Sequence, residues 1–247
     1  MRHIFKMRIK TTLAGILICL FALASTAIAG DYATLNFIGF SNNGRYLAFE
    51  EYGVQDGSGF PYSNIYFIET AKNTMAAPSV VVRLDDEYAS EKMARARSAA
   101  LAAKKLRQLG IVRGNTGKHV VSHLINDLTF EKDPFATEVT FAEEIGSMYK
   151  QGEYYLKLRP VKVVIKDCEP YDYETLMMDL TLTNKDDNTT RTLQKDTTIP
   201  KSRGCAHGYR IQDVYLYKGS IAVFINVFTQ GFEGPDMRFM AVSGQYK

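Results

Sequence analysis

Three histidines are the first residues to weigh for chemistry: His119 and His123, four apart, and His207, two residues beyond Cys205. Imidazoles in that number could hold zinc or copper. An i, i+4 pair faces one way on a helix, but Val120, Val121, Leu124 and Ile125 make this segment as plausible a strand. On a strand the two rings would stand about 13 Å apart. The expectation is therefore no metal, with His119, His123 and His207 as surface or hydrogen-bonded side chains. Cofactor and hydrolase motifs fail on spacing. Gly57-Ser58-Gly59 lacks the Gly-x-Ser-x-Gly of a nucleophile elbow. Gly117-Lys118 has Val112 where a phosphate loop needs its first glycine, and His119 where it needs Ser or Thr. Asp56 to Gly59 has no later bidentate glutamate at calcium-loop spacing. No cofactor and no catalytic residue is expected.

The remaining chemistry lies in two loops, Gln55 to Tyr62 and Gln230 to Asp236, which each mix glycine, aromatic and carboxylate residues. If they meet, Asp56, Glu233 and Asp236 can accept hydrogen bonds from a ligand while Phe60, Tyr62 and Phe232 supply apolar contact. The same acids could serve as an acid and base pair in glycoside cleavage. A binding or scaffolding module is the first expectation, a carbohydrate-directed hydrolase the alternative, and glycine-rich loops that merely turn the chain the plainest reading.

Those loops must work outside the cytoplasm. Residues 1–29 have the parts of a signal peptide: Arg2, Lys6, Arg8 and Lys10 without an acid, an apolar run from Leu13 to Ala24, and Ala27-Ile28-Ala29 before the expected cut after Ala29. The apolar run is shorter than the roughly 20 residues of a membrane span. Cleavage leaves a periplasmic or secreted chain of residues 30–247 with no membrane span. It removes four of the 30 basic residues and none of the 27 acids, so 26 face 27. A near-neutral chain offers no general attraction for nucleic acid, and the expected partner is an envelope ligand or protein. Cys19 leaves with the signal, and Cys168 and Cys205 remain as an even pair in an oxidising compartment, expected to be a disulfide.

The elements that position these groups read as mainly β, with antiparallel hairpins and one inserted helix. Aromatic and β-branched runs mark strands at Leu35–Phe40, Tyr46–Tyr52, Ile65–Thr70, Val120–Leu124, Thr137–Phe141, Tyr154–Ile165, Leu176–Leu182, Tyr209–Leu216, Ile221–Phe228 and Phe239–Val242. Asn43-Gly44 suits a type I′ turn between the first two, which should pair antiparallel. A helical insertion over 85–110 follows, capped by Asp85-Asp86 and helical over about 86–109, with Tyr88, Ala99, Ala102, Leu106 and Leu109 on one stripe and a basic, solvated remainder. No linker divides residues 30–247, which reads as a single domain. Gly44 to Phe49 and Gly219 to Phe224 are alike enough to be a repeat, or two unrelated hairpins built by the same rules.

The run Phe40-Ser41-Asn42-Asn43-Gly44-Arg45-Tyr46-Leu47-Ala48-Phe49 resembles the strand-turn-strand unit of β-propeller blades in TolB-like and prolyl oligopeptidase-like proteins. One good copy and a long helix do not make a closed ring. Over its whole mature length the chain is similar to an uncharacterised bacterial family of predicted secreted proteins, carried by Tyr46 to Tyr66 and by Gly231-Phe232-Glu233-Gly234-Pro235-Asp236. That resemblance implies export and a shared fold and supplies no catalytic residues.

Overall fold

The computed structural model describes residues 30–86, 88–125, 136–144, 150–168, 174–231 and 234–247. The signal segment lies outside the described residues. Strands β1 (Thr34–Phe40), β2 (Tyr46–Val54), β3 (Pro61–Glu69) and β4 (Thr74–Arg83) form a first antiparallel sheet in chain order. Helix α1 (Glu91–Gln108) follows, then β5 (Lys118–Ser122). A further sheet runs β6 (Glu138–Glu144), β7 (Lys150–Lys162), β8 (Leu176–Asn184) and β9 (Thr189–Lys195). The last strands, β10 (Gly208–Tyr217), β11 (Ser220–Gln230) and β12 (Pro235–Gln245), recruit β5 to give the order β12-β11-β10-β5. The fold is thus mainly antiparallel β, with one α-helix among the described residues.

The layers stack as helix, first sheet, central sheet and outer sheet, with β5 and β10–β12 in the centre. Ala102 and Leu106 of α1 pack on Ile65 and Phe67 of β3. Phe40, Leu47 and Phe49 of the first sheet pack on Phe224, Phe228 and Phe239 of the central one. The opposite central face, with Ile211, Val223 and Ile225, packs on Leu156, Leu158 and Leu180. Sandwiched on both sides, β11 is buried at nine successive residues from Ser220 to Phe228, which is why it reads as a continuous apolar run rather than an alternating one. Each sheet has the four strands of a blade, yet among the described residues the three sheets do not close a ring.

Several local expectations are corrected. The helix starts at Glu91, where Ser90 caps it by accepting from Met93 N at 3.3 Å. Asp85 is instead paired with Arg83, and Asp86 accepts from Tyr88 N at 2.9 Å. Tyr88 therefore stands outside the helix, 89% exposed, and the buried row is Ala94, Ser98, Ala102 and Leu106, each four apart. Glu50 fastens the helix to β2 through two bonds of 3.0 Å from Arg95. The first two strands do pair antiparallel, but across the five residues 41–45, in which only Gly44 has positive φ. The turn with two positive φ angles is Lys218-Gly219, between β10 and β11. Two strands escape the sequence pattern, and both are sheet edges. β4 carries Pro78, which an edge tolerates, and β9 is exposed at Thr189 to Thr192.

Cys168 and Cys205 are bonded, with Cα atoms 5.6 Å apart. The bond ties the segment after β7 to the loop entering β10, so it couples the outer sheet to the central one.

Candidate functional site

The chain enters the fold beside β12: Ala33 N donates to Met237 O at 2.9 Å, and Met237 N to Asp31 O at 3.0 Å. This seats Asp31, buried, between the two loops singled out from the sequence. Tyr62 Oη donates to Asp31 Oδ1 at 3.2 Å, Asp236 Oδ1 accepts from Asp31 N at 3.0 Å, and Arg238 donates to both the carboxylate and the carbonyl of Asp31. The Arg238 guanidinium also lies 5.0 Å from the Tyr62 ring centre. Tyr62 and Asp236 thus converge on a pair, Asp31 and Arg238, that sequence spacing did not reveal. Asp56 sits at the exposed tip of the β2–β3 hairpin, where its Oδ1 accepts from Gly57 N at 2.9 Å. Phe60 is half-buried, 5.9 Å from the Arg83 guanidinium. Phe232 and Glu233 lie outside the described residues.

Glu51, on β2, crosses from the first sheet to the central one. It accepts from Tyr66 Oη at 2.7 Å, Asn64 Nδ2 at 3.2 Å and Phe239 N at 2.9 Å. Burial, then the Glu51 carboxylate and its hydrogen bond, hold the Tyr66 phenol far above the usual tyrosine value. Tyr62 is raised as well, by burial first, against the opposing pull of Arg238. Both remain hydrogen-bond donors.

Beside this crossing a cleft of about 510 Å³ opens between the two sheets, walled by Phe49, Tyr66 and Ile68 on one side and Phe239, Met240 and Ala241 on the other. Its rim is the Pro200–Cys205 segment, held by the disulfide and by Arg203, which pairs with Asp196. Arg238 closes one end and also lines a shallower depression of about 410 Å³ with Gln55, Asn64, Arg83 and Asp85.

A second constellation crosses the same face of the central sheet. Arg210, fully buried, donates to Asn226 Oδ1 at 3.3 Å and to the carbonyls of His123 and Leu124. Asn226 Nδ2 donates to Gln212 Oε1 at 2.9 Å, Gln212 Nε2 to Asp213 Oδ2 at 3.0 Å, and His119 Nε2 lies 2.8 Å from Asp213 Oδ1. Two β-bulges create this row. The β10–β11 register slips between Ile211 and Asp213, with Gln212 as the extra residue, so that Asp213 is opposite Phe224. The β5–β10 register slips at Val120, so that His119 is opposite Tyr215 and Ser122 opposite Asp213. Such bulges re-aim side chains and often border functional sites. Burial, with Asp213 adding, pushes the Tyr215 phenol up to about 12.

His119 stacks on Tyr215 at 4.2 Å between ring centres, and His123 Nδ1 lies 3.2 Å from Ile211 O. His207 follows the disulfide, its N donating to Phe228 O at 2.9 Å, and burial holds its imidazole below the usual value. The segment from His119 is a strand, not a helix. Among the described residues no group of three His, Cys, Asp or Glu side chains is placed to hold a metal ion.

Stacked antiparallel sheets and one disulfide define the class, a disulfide-bonded, mainly β protein, and no described helix is long and apolar enough to cross a membrane. Residues 48–245 match the family model described as Predicted secreted protein (DUF2259), and the chain belongs to that family. The match runs from within β2 to the end of β12; it includes Tyr62, Asp236, Arg238 and the row from His119 to Arg210, while Asp31 lies ahead of it. No curated protein matches the chain.

Proposed function

We propose that this is an envelope binding module, periplasmic or released, which after cleavage behind Ala29 folds residues 30–247 as one domain and holds an apolar ligand in the cleft between the first and central sheets. The observation that carries this reading is the position of the cleft: its apolar walls end at Arg238, where the chain beside Tyr62 and Asp236 converges. An apolar body with a few convergent polar groups at one end is the usual make-up of a small-molecule site. Asp31 is already bonded into the fold, which supports processing ahead of it. The described acids suit recognition better than glycoside cleavage, because Asp56 Oδ1 is taken by its own turn and Asp236 Oδ1 by Asp31 N.

The test uses the neutral apolar dye N-phenylnaphthylamine. Its fluorescence should rise on binding to the wild type, and Ala241→Phe, which fills the cleft, should abolish the rise with an unchanged thermal midpoint. No dye binding to the wild type, or full binding to the folded variant, refutes the cleft as the site.

A further inference from the structure

We infer that the corner formed by His119 and Asp213 is a second binding site, for a small neutral aromatic alcohol whose hydroxyl donates to His119 Nδ1. A carboxylate accepts and cannot donate, so the 2.8 Å contact to Asp213 Oδ1 requires the hydrogen on His119 Nε2. In the neutral imidazole Nδ1 is then an acceptor, and among the described residues none donates to it. Its partner cannot be Asp213, whose second oxygen already receives Gln212 Nε2. The acceptor is held unusually firmly for a half-exposed side chain. Tyr215 fixes the ring plane by stacking, with the two planes 8° apart. Behind Asp213 the row of Gln212, Asn226 and Arg210 is buried to 7%, 0% and 0% exposure. A histidine that merely covers a sheet edge needs no such backing; partly unmet buried polar groups are costly, and a bonded row of them fixes geometry.

The cavity beside it sets the class of ligand. An open depression of about 380 Å³ is lined by Leu35, Phe37, Tyr215 and Phe239, with His119 and Ser122 among its polar residues. That volume falls within the range of small-molecule sites, roughly 300–1,000 Å³. Phe37 and Tyr215 meet at 4.7 Å between ring centres, giving an aromatic wall for a flat ring. No lysine or arginine lines the cavity among the described residues and Asp213 is its sole formal charge, so an anion is disfavoured. A neutral ring carrying one hydroxyl meets both the aromatic wall and the lone acceptor. The site is separate from the larger cleft, from which it is divided by Phe239, a wall of both.

Phenol is the probe, with toluene and benzoate as controls, added to the full exported chain labelled with ¹⁵N at histidine. Long-range imidazole spectra should show His119 Nδ1 unprotonated and shifted by phenol but not by toluene. Phenol should bind about tenfold more tightly than toluene, the size of one net hydrogen bond, and benzoate should not compete. His119→Phe keeps the stack on Tyr215 and should reduce phenol to the affinity of toluene. A protonated Nδ1 in the free protein, equal binding of phenol and toluene, or undiminished phenol binding by the folded His119→Phe protein would each overturn the assignment.

Discussion

The two faces of the central sheet are built from the same strands and differ in chemistry. Toward the outer sheet they present Tyr209, Ile211, Val214, Leu216, Ile221, Val223 and Ile225, packed on leucines of β7 and β8. Toward the first sheet the same strands carry Arg210, Gln212, Asp213 and Asn226 among their aromatics, and both clefts open there. Burying a polar group costs several kcal/mol unless it is bonded, so a face that keeps four of them gains nothing in stability over an apolar one. The apolar face secures the stack, and the mixed face carries both of the proposed binding sites.

The disulfide spans both regions by joining the outer-sheet side to the cleft rim, so its removal should have the largest effect. Closing 36 intervening residues is worth about 4 kcal/mol in the chain-entropy model. A Cys168→Ala, Cys205→Ala double variant should lose about that much in urea unfolding and should bind the apolar dye less well. An unchanged midpoint would show that the bond is incidental. On the apolar face, Ile225→Ala removes a fully buried side chain and should cost about 2–5 kcal/mol without altering dye affinity per folded molecule. Equal losses of both would erase the distinction between the faces.

A smaller effect, of defined sign, comes from the helix side of the first sheet. Burial pushes the Glu50 carboxyl up, but bonds from Arg95, Asn36 and Ser63 outweigh it and hold it below its usual 4.5. A lowered carboxyl contributes stability that is present above about pH 4.5 and is lost as the pH falls through the folded-state value. Glu50→Gln should therefore cost about 1–3 kcal/mol at neutral pH, with the gap to wild type narrowing in acid. A gap that is constant down to about pH 3 would mean that the charge of Glu50 contributes nothing.

Much of this architecture is legible from residue order, and the parts that are not share a cause. Apolar runs such as Ile221 to Phe228 announce strands because burial is written into each residue, and the two cysteines beyond the expected signal segment, Cys168 and Cys205, are the pair that bonds. Ser90 was hidden behind Asp85 and Asp86, which look like caps until their own partners are seen. β4 and β9 were hidden because an edge strand needs no apolar pattern. The bulges at Val120 and Gln212 cannot be read along one strand at all, since a bulge is a count of residues against a partner. Asp31 and Arg238 are some 200 positions apart, and only the parallel contact of the entering chain with β12 joins them. Tyr62 and Asp236 were legible by type, but what unites them was not.

The measurement that bears most directly on the difference between the two faces is a titration of methyl-labelled protein with N-phenylnaphthylamine. Shifts confined to Ile68 and Met75, which line the cleft, are the predicted result. Shifts at Leu156, Leu180 and Ile225, between the central and outer sheets, would contradict it.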